Sequence, residues 1–248
     1  MPGKKIYFAS DIHLGLCAKG RSLDHDRLFV RWLNEVKEDA EAIYILGDLF
    51  DFWFEYKKVV PKGFTRVLGK LAELADSGIS IHIFVGNHDL WMFGYLEEEL
   101  GAKVHREQTY ETELYGKRFI MGHGDGLGDN DKGYKLLRRI FTCRFLQRLY
   151  AMLHPRIGLG LAHLWSKHSR LSKGVAVPFK GNEEETLYQF AKSTLKSKHV
   201  DYFVFGHRHT PIIMEMEQDA FLVILGEWIS GCEYGVFDGD RLELKKFT

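Results

Sequence analysis

The sequence predicts an α/β fold, and three observations predict it. Apolar runs of strand length alternate with amphipathic helical stretches over the first two hundred or so positions. Five of the runs end the same way, in a glycine or other small residue followed by Asp, Asn or His. The 248 residues are 45% hydrophobic and 14% aromatic, enough to bury one substantial core with room for an insertion.

The first run, Ile6 to Ser10, ends in Asp11-Ile12-His13, and a helix follows from about Leu23 to Asp39 with Leu28, Phe29, Trp32, Leu33 and Val36 on one face. Ile43 to Leu46 stops at Gly47 and presents Asp48; the aromatic turn Leu49 to Phe54 behind it reads mainly as core. A second helix is expected from Gly63 to Ser77, with Gly78 as its stop. Ile81 to Val85 then ends in Gly86-Asn87-His88-Asp89. A short helix from Trp91 to Leu100 precedes two strands between Thr109 and Met121, the second ending in Gly122-His123-Gly124-Asp125. From Tyr134 to about His168 the apolar spacing is helical, with Pro155, Gly158 and Gly160 expected to break it. A helix from Glu183 to Lys198, the strand Tyr202 to Phe205 ending in Gly206-His207-Arg208-His209, and a tail of antiparallel strands complete the reading.

Asp, Asn and His at strand ends suit hard or borderline divalent ions, and three widely spaced cysteines offer neither a thiolate site nor a disulfide framework. A metal pair about 3.5–4 Å apart needs a ligand that reaches both ions, a role that suits Asp48. Asp11 with His13, and His207 with His209, stand two apart on extended segments and can point to one side.

In order, these five motifs resemble the calcineurin-like metallophosphoesterase superfamily. The resemblance implies a four-layer αββα sandwich and two divalent ions, with Mn²⁺ the expected species. It places Asp11, His13, Asp48 and His209 around one ion, and Asp48, Asn87, His123 and His207 around the other. Metal-assisted hydrolysis follows, with His88, supported by Asp89, protonating the leaving oxygen or holding a phosphate oxygen, and Asp125 orienting a ligand histidine. The remaining histidines, among them His25, His82 and His105, carry no such context.

A narrower resemblance covers nearly the whole chain. Asp131-Lys132-Gly133-Tyr134, Arg138-Arg139, Phe145 to Leu149, Ser166-Lys167, Lys173 and Leu225-Gly226-Glu227-Trp228 resemble the UDP-2,3-diacylglucosamine pyrophosphatase family of the lipid A pathway. This implies release of UMP and 2,3-diacylglucosamine 1-phosphate, and a helical lid at about residues 129–180 inserted in a single domain spanning 1–248. Asn87, His88, Asp131, Tyr134, Ser166, Arg170, Lys173 and His207 are the implied substrate contacts. His88 stands where many members carry Arg, and Arg170 where a small amide is usual.

Charge distribution agrees. Ten of the 34 basic residues lie between Lys132 and Lys173 with no acid among them, leaving 24 basic residues against 34 acidic ones elsewhere. Leu, Phe and Met alternate with these cations, which suits acyl chains, a diphosphate and an anionic membrane surface. With no apolar leader or membrane-length run, a peripheral enzyme on the cytoplasmic face of the inner membrane is expected. A general phosphoesterase is the alternative; a silent binding protein does not need seven ligands, and neither a nucleic-acid module nor an obligate protein partner is expected.

Overall fold

The computed structural model describes residues 3–16, 23–128, 132–162, 164 and 184–248. Strands β1 (Lys5–Ala9), β2 (Ala40–Ile45) and β3 (Ser80–Phe84) lie parallel, connected through α1 (Leu23–Val36) and α2 (Thr65–Asp76). After α3 (Tyr95–Leu100), the short β4 (Lys103–His105) joins the edge of the same sheet. The second sheet starts with the hairpin β5 (Tyr110–Leu114) and β6 (Lys117–Gly122). The chain then leaves through α4 (Lys132–Thr142), α5 (Arg144–Ala151) and α6 (155–162), and returns at α7 (Thr186–Leu195). Next come β7 (Tyr202–Phe205), β8 (Ile212–Glu215) and β9 (Phe221–Ile224), after which β10 (Glu233–Phe237) and β11 (Leu242–Lys246) go back to the first sheet. The strand orders are β11-β10-β1-β2-β3-β4 and β5-β6-β7-β9-β8.

Alternation along the strands assigns each side chain to a layer. Tyr7, Ala9, Ile43, Ile45, Ile81 and Ile83 face Phe29, Trp32, Leu33, Val67 and Leu71 of the helices. Their neighbours Ile6, Phe8, Ala42, Tyr44 and Phe84 face Phe119, Met121, Tyr202, Val204 and Val223 of the second sheet. That sheet's outer residues, including Ile120, Phe203 and Phe205, pack on Leu187, Ala191 and Leu195 of α7. The order is helix, sheet, sheet, helix, as the α/β reading and the resemblance imply. Each fully buried phenylalanine, such as Phe8 or Phe203, contributes roughly 1.5–3 kcal/mol of transfer free energy.

Three details differ from the sequence reading. The tail is not wholly antiparallel: β9 pairs parallel with β7, because β8 reverses the chain and occupies the sheet edge. Trp91 lies ahead of α3 in a loop. In the inserted segment the first break falls at Cys143, between α4 and α5, whereas Gly158 and Gly160 lie inside α6. Pro155 begins that helix, since its missing N–H belongs to an end position that has no helical partner in any case.

Candidate metal centre

The carboxyl ends of β1, β2, β3, β6 and β7 meet at one edge of the sandwich, so their loops converge although they come from two sheets. The pairing of β1 with β2 continues into these loops, where Asp11 N–H donates to Gly47 O (3.1 Å) and His13 N–H to Asp48 O (2.9 Å). Asp11, His13, Asp48, His207 and His209 all take positive φ, between 50° and 66°. Five non-glycine residues in the left-handed region of one site represent stored strain, held by the surrounding hydrogen bonds.

Close approach explains the glycine before a ligand. A Cβ on Gly86 would lie 2.1 Å from Asp48 Oδ1, and one on Gly206 would lie 1.9 Å from Ser10 Oγ and 2.6 Å from Asp11 Oδ2. Each glycine makes room for the carboxylate delivered by a neighbouring strand.

The side chains form overlapping groups. Asp11, His13 and His209 present ligand atoms within 4.8 Å of one another; so do Asp11, Asp48 and His123, and so do His13, Asp51 and His88. Asp48 Oδ2 lies 3.7 Å from His13 Nε2 and 3.4 Å from His123 Nε2, between the two sheets' contributions. Asn87 Oδ1 is 3.1 Å from the same His123 nitrogen. His207 is brought beside them through its ring, 5.0 Å from that of His123, and its N–H donates to Asp11 Oδ2 at 2.9 Å.

Orientation comes from surrounding acceptors. Leu46 O can only accept, so His123 Nδ1, at 2.9 Å, carries the hydrogen and Nε2 is the atom turned toward Asp48. His88 Nδ1 likewise donates to Asp51 O at 3.0 Å, which leaves Nε2 for the cleft. Burial disfavours ionisation of Asp11, but its hydrogen bond with His209 and the charges of His123 and His209 hold it down at about 2. Asp48 is held well below the usual carboxylate range against the same burial, by His123, His88 and His13. Burial pushes His13 down to about 4, and burial together with His123 does the same to His207. The ionised carboxylates and the neutral His13 and His207 suit a divalent cation as they stand, whereas against burial Asp48 pushes His123 well up and Asp11 pushes His209 up, so a cation would displace a proton at these two rings.

Among the described residues, neither ring nitrogen of the buried His13 has a hydrogen-bond partner. Leaving them so would cost desolvation with no return, whereas a cation takes up such a lone pair. The donor set fits hard or borderline divalent ions.

Asp89 is a correction. It does not pair with His88: its oxygens accept Gly86 N–H at 2.7 Å and Phe50 N–H at 3.2 Å, tying the β2 and β3 loops together. Burial and the charge of Asp48 push its carboxyl up to about 7. Asp51 stands instead beside both His88 and His13, each with a ring nitrogen 3.8 Å from Asp51 Oδ1. A carboxylate three residues after Asp48, in the aromatic turn, was the available signal for it. Asp125 also differs from expectation, since its Oδ2 accepts from Tyr134 Oη and Arg138 Nη1 of α4. Tyr134 therefore reaches the edge of the site with its hydroxyl already engaged. Asp131, Ser166, Arg170 and Lys173 lie outside the described residues.

The inserted helices dock on the loops that follow β2 and β3. Trp91 Nε1 donates to Phe141 O at 2.8 Å, and Tyr150 packs 4.9 Å from the Trp91 ring and 4.7 Å from that of Phe54. Away from this seam the helices show apolar side chains to solvent, with Phe145 72% and Met152 81% exposed.

Comparison with known proteins follows the same lines. The calcineurin-like phosphoesterase family model matches residues 4–211. The chain is 42% identical over 255 residues to the UDP-2,3-diacylglucosamine hydrolase of Porphyromonas gingivalis, covering 97% of each chain. To the protein of that name from Escherichia coli O81 it is 29% identical over 246 residues, covering 97% of this chain and 98% of the other. A dimetal phosphatase from Danio rerio shares the fold with a TM-score of 0.51 at 16% identity, covering 99% of this chain and 96% of that one. By its motifs, its layers and this full-length similarity, the chain belongs to the UDP-2,3-diacylglucosamine hydrolase family of the calcineurin-like phosphoesterases.

Proposed function

We propose that this protein hydrolyses the diphosphate of UDP-2,3-diacylglucosamine, giving UMP and 2,3-diacylglucosamine 1-phosphate, within lipid A synthesis. The observation that carries the reading is a buried carboxylate and histidine centre built from two sheets and bordered by helices that are both basic and apolar on their exposed faces. Full-length similarity to relatives bearing that name supports the substrate.

Asp11, His13, Asp48, Asn87, His123, His207 and His209 would hold two divalent ions, Mn²⁺ by preference, with Asp48 central to both sets. Ions bound there supply Lewis acidity toward a phosphoryl oxygen and make water a competent nucleophile near neutral pH. The protein's own part is preorganisation: carboxylates already ionised, imidazoles already turned, and strain already absorbed by the fold. His88, oriented through Nδ1 by Asp51 O, directs Nε2 into the cleft as a phosphate clamp or as the proton donor to the leaving oxygen. Asn87, His207 and Tyr134, with Asp131, Ser166, Arg170 and Lys173 from the excursion, would contact the diphosphate and sugar.

The segment at about 129–180 would serve as the lid, its Leu, Phe and Met side chains taking the acyl groups and its cations, apart from Arg138 with its Asp125 partner, meeting the diphosphate and anionic lipid. No helix among the described residues is long and apolar enough to cross a membrane, so contact with the inner membrane's cytoplasmic face would be peripheral.

The test is a comparison of UDP-glucosamine carrying two, one or no acyl chains, with UMP release measured in detergent. Cleavage should be far faster for the diacylated compound, because binding energy from remote chains can be used to position the reacting diphosphate. Equal rates would remove the lipid substrate and leave a general phosphoesterase.

A further inference from the structure

Between Asp125 and Glu185 the chain leaves the second sheet and comes back. Each foot of this excursion carries an ion pair to a different ligand loop. On the way out, Arg138 of α4 meets the buried carboxylate of Asp125, two residues after His123, and Tyr134 Oη donates to the same oxygen. On the way back, the fully buried carboxylate of Glu185 accepts from Arg208 Nη2 at 2.9 Å, and Arg208 sits between His207 and His209. The two pairs have opposite polarity: an acid in the ligand loop meets a base of the excursion at one foot, and the reverse holds at the other.

These contacts are placed where loss of a partner matters. Asp125 and Glu185 are shielded from water, and Glu185 Oε1 has no hydrogen-bond partner among the described residues, so that carboxylate depends on the Arg208 contact at its other oxygen. Gly126 adds a fit of shape to the first foot, because a Cβ there would come 2.9 Å from the Tyr134 ring.

We propose that Arg138 with Asp125, and Glu185 with Arg208, are positioning pairs that lock the inserted helices to the two ligand loops of the second sheet. Filling the metal centre fixes the loops, and the pairs transmit that order to α4 and to the first turn of α7. Loosening a pair leaves the ligands in place and lets the helices lose register. The activity part of the test rests on the function proposed above; the exchange part does not.

Amide hydrogen exchange of the full chain, with and without Mn²⁺, reads the coupling directly. In the wild type and in Arg138→Lys, Mn²⁺ should slow exchange in α4 as well as in the ligand loops. In Arg138→Gln the loops should stay protected while α4 exchanges about tenfold faster, near its metal-free rate. Glu185→Gln should do the same at Thr186 to Tyr188 and spare α4. Protection of β2 and β7 reports whether a variant folds; if Arg138→Gln does not, the Mn²⁺ response of α4 in the wild type and in Arg138→Lys decides. An α4 indifferent to Mn²⁺ in the wild type, or one equally protected in Arg138→Gln, overturns the proposal.

In the activity part, Arg138→Gln should raise KM for diacylated UDP-glucosamine about tenfold and leave turnover of bis(4-nitrophenyl) phosphate unchanged. Equal loss on both compounds counts against a positioning role. A wild type that ignores the acyl chains refutes the substrate assignment alone, since exchange still reports on the pairs.

Discussion

The strand-end loops and the helices that dock on them are fixed by different forces. In the loops every site carboxylate is buried and placed by backbone geometry: left-handed residues, glycines that make room, and N–H donors such as His88 N–H to Asp48 Oδ1 at 2.9 Å. In α5, by contrast, no residue is buried, and the helix is joined to the body by a seam of aromatic rings and a few polar contacts. Bond-making chemistry demands placement to a fraction of an ångström, which a rigid sheet edge supplies. The lipid recognition proposed above would demand apolar area and cations, which helices as exposed as α5 could offer.

Replacing Asp48 tests the rigid side most severely. Asp48→Ala should abolish the metal pair and lower kcat by at least about 10³-fold, as read by metal analysis and UMP release. A variant that keeps two ions and full activity would show that the centre does not depend on this carboxylate. If His88 acts as the clamp or proton donor proposed above, His88→Ala should lower kcat about 10²–10⁴-fold with metal content unchanged. Asp51→Ala should move activity in the same direction, because it frees the imidazoles of His88 and His13 from their neighbouring carboxylate.

On the helical side the effects should be smaller and selective. Phe145→Ser, at a largely exposed position, should leave the free energy of unfolding within the scatter of surface substitutions, about ±0.5 kcal/mol by denaturant unfolding, while weakening vesicle binding and turnover of diacylated substrate. If it destabilises the fold as a core substitution does, the contrast between the regions fails. Asp89→Ala marks the boundary from the other side. It strands the N–H groups of Gly86 and Phe50 and should cost about 1–3 kcal/mol of stability for each donor left unpaired, measured by denaturant unfolding.

The smallest effect concerns pH and lies outside the site. Burial, with some repulsion from His105 and Lys103, pushes His82 down to about 4. The folded state therefore favours neutral His82. That contribution is complete above the unfolded imidazole pKa of about 6.5 and is lost as pH falls from there toward 4. His82→Gln should flatten the decline of Tm between pH 6.5 and 5, and an unchanged slope would assign the acid sensitivity to other groups.

Much of this was legible in the chain itself. Apolar runs ending in Gly-Asp, Gly-Asn or Gly-His marked the strands and the candidate ligands, because a loop can lie against the carboxylate of another loop only where it offers something small, as Gly86 does to Asp48 and Gly206 to Asp11. Local periodicity similarly marked α1 and α2, whose buried faces repeat at helical spacing. The ions implied, the α/β class and the unusual charge of the inserted segment are likewise properties of order and composition.

Tertiary structure decided what depends on partners distant in sequence. Asp89 follows His88 directly, yet successive residues diverge in space, and its carboxylate went to Gly86 and Phe50 while Asp51 took the place beside His88. Asp125 could be marked as close to a ligand but not as the acceptor for Tyr134 and Arg138, since that contact requires α4 to fold back over the β6 loop. The parallel placement of β9 was equally hidden, because strand direction is set by which neighbour a run pairs with, and the pattern of a single run carries no record of its neighbour.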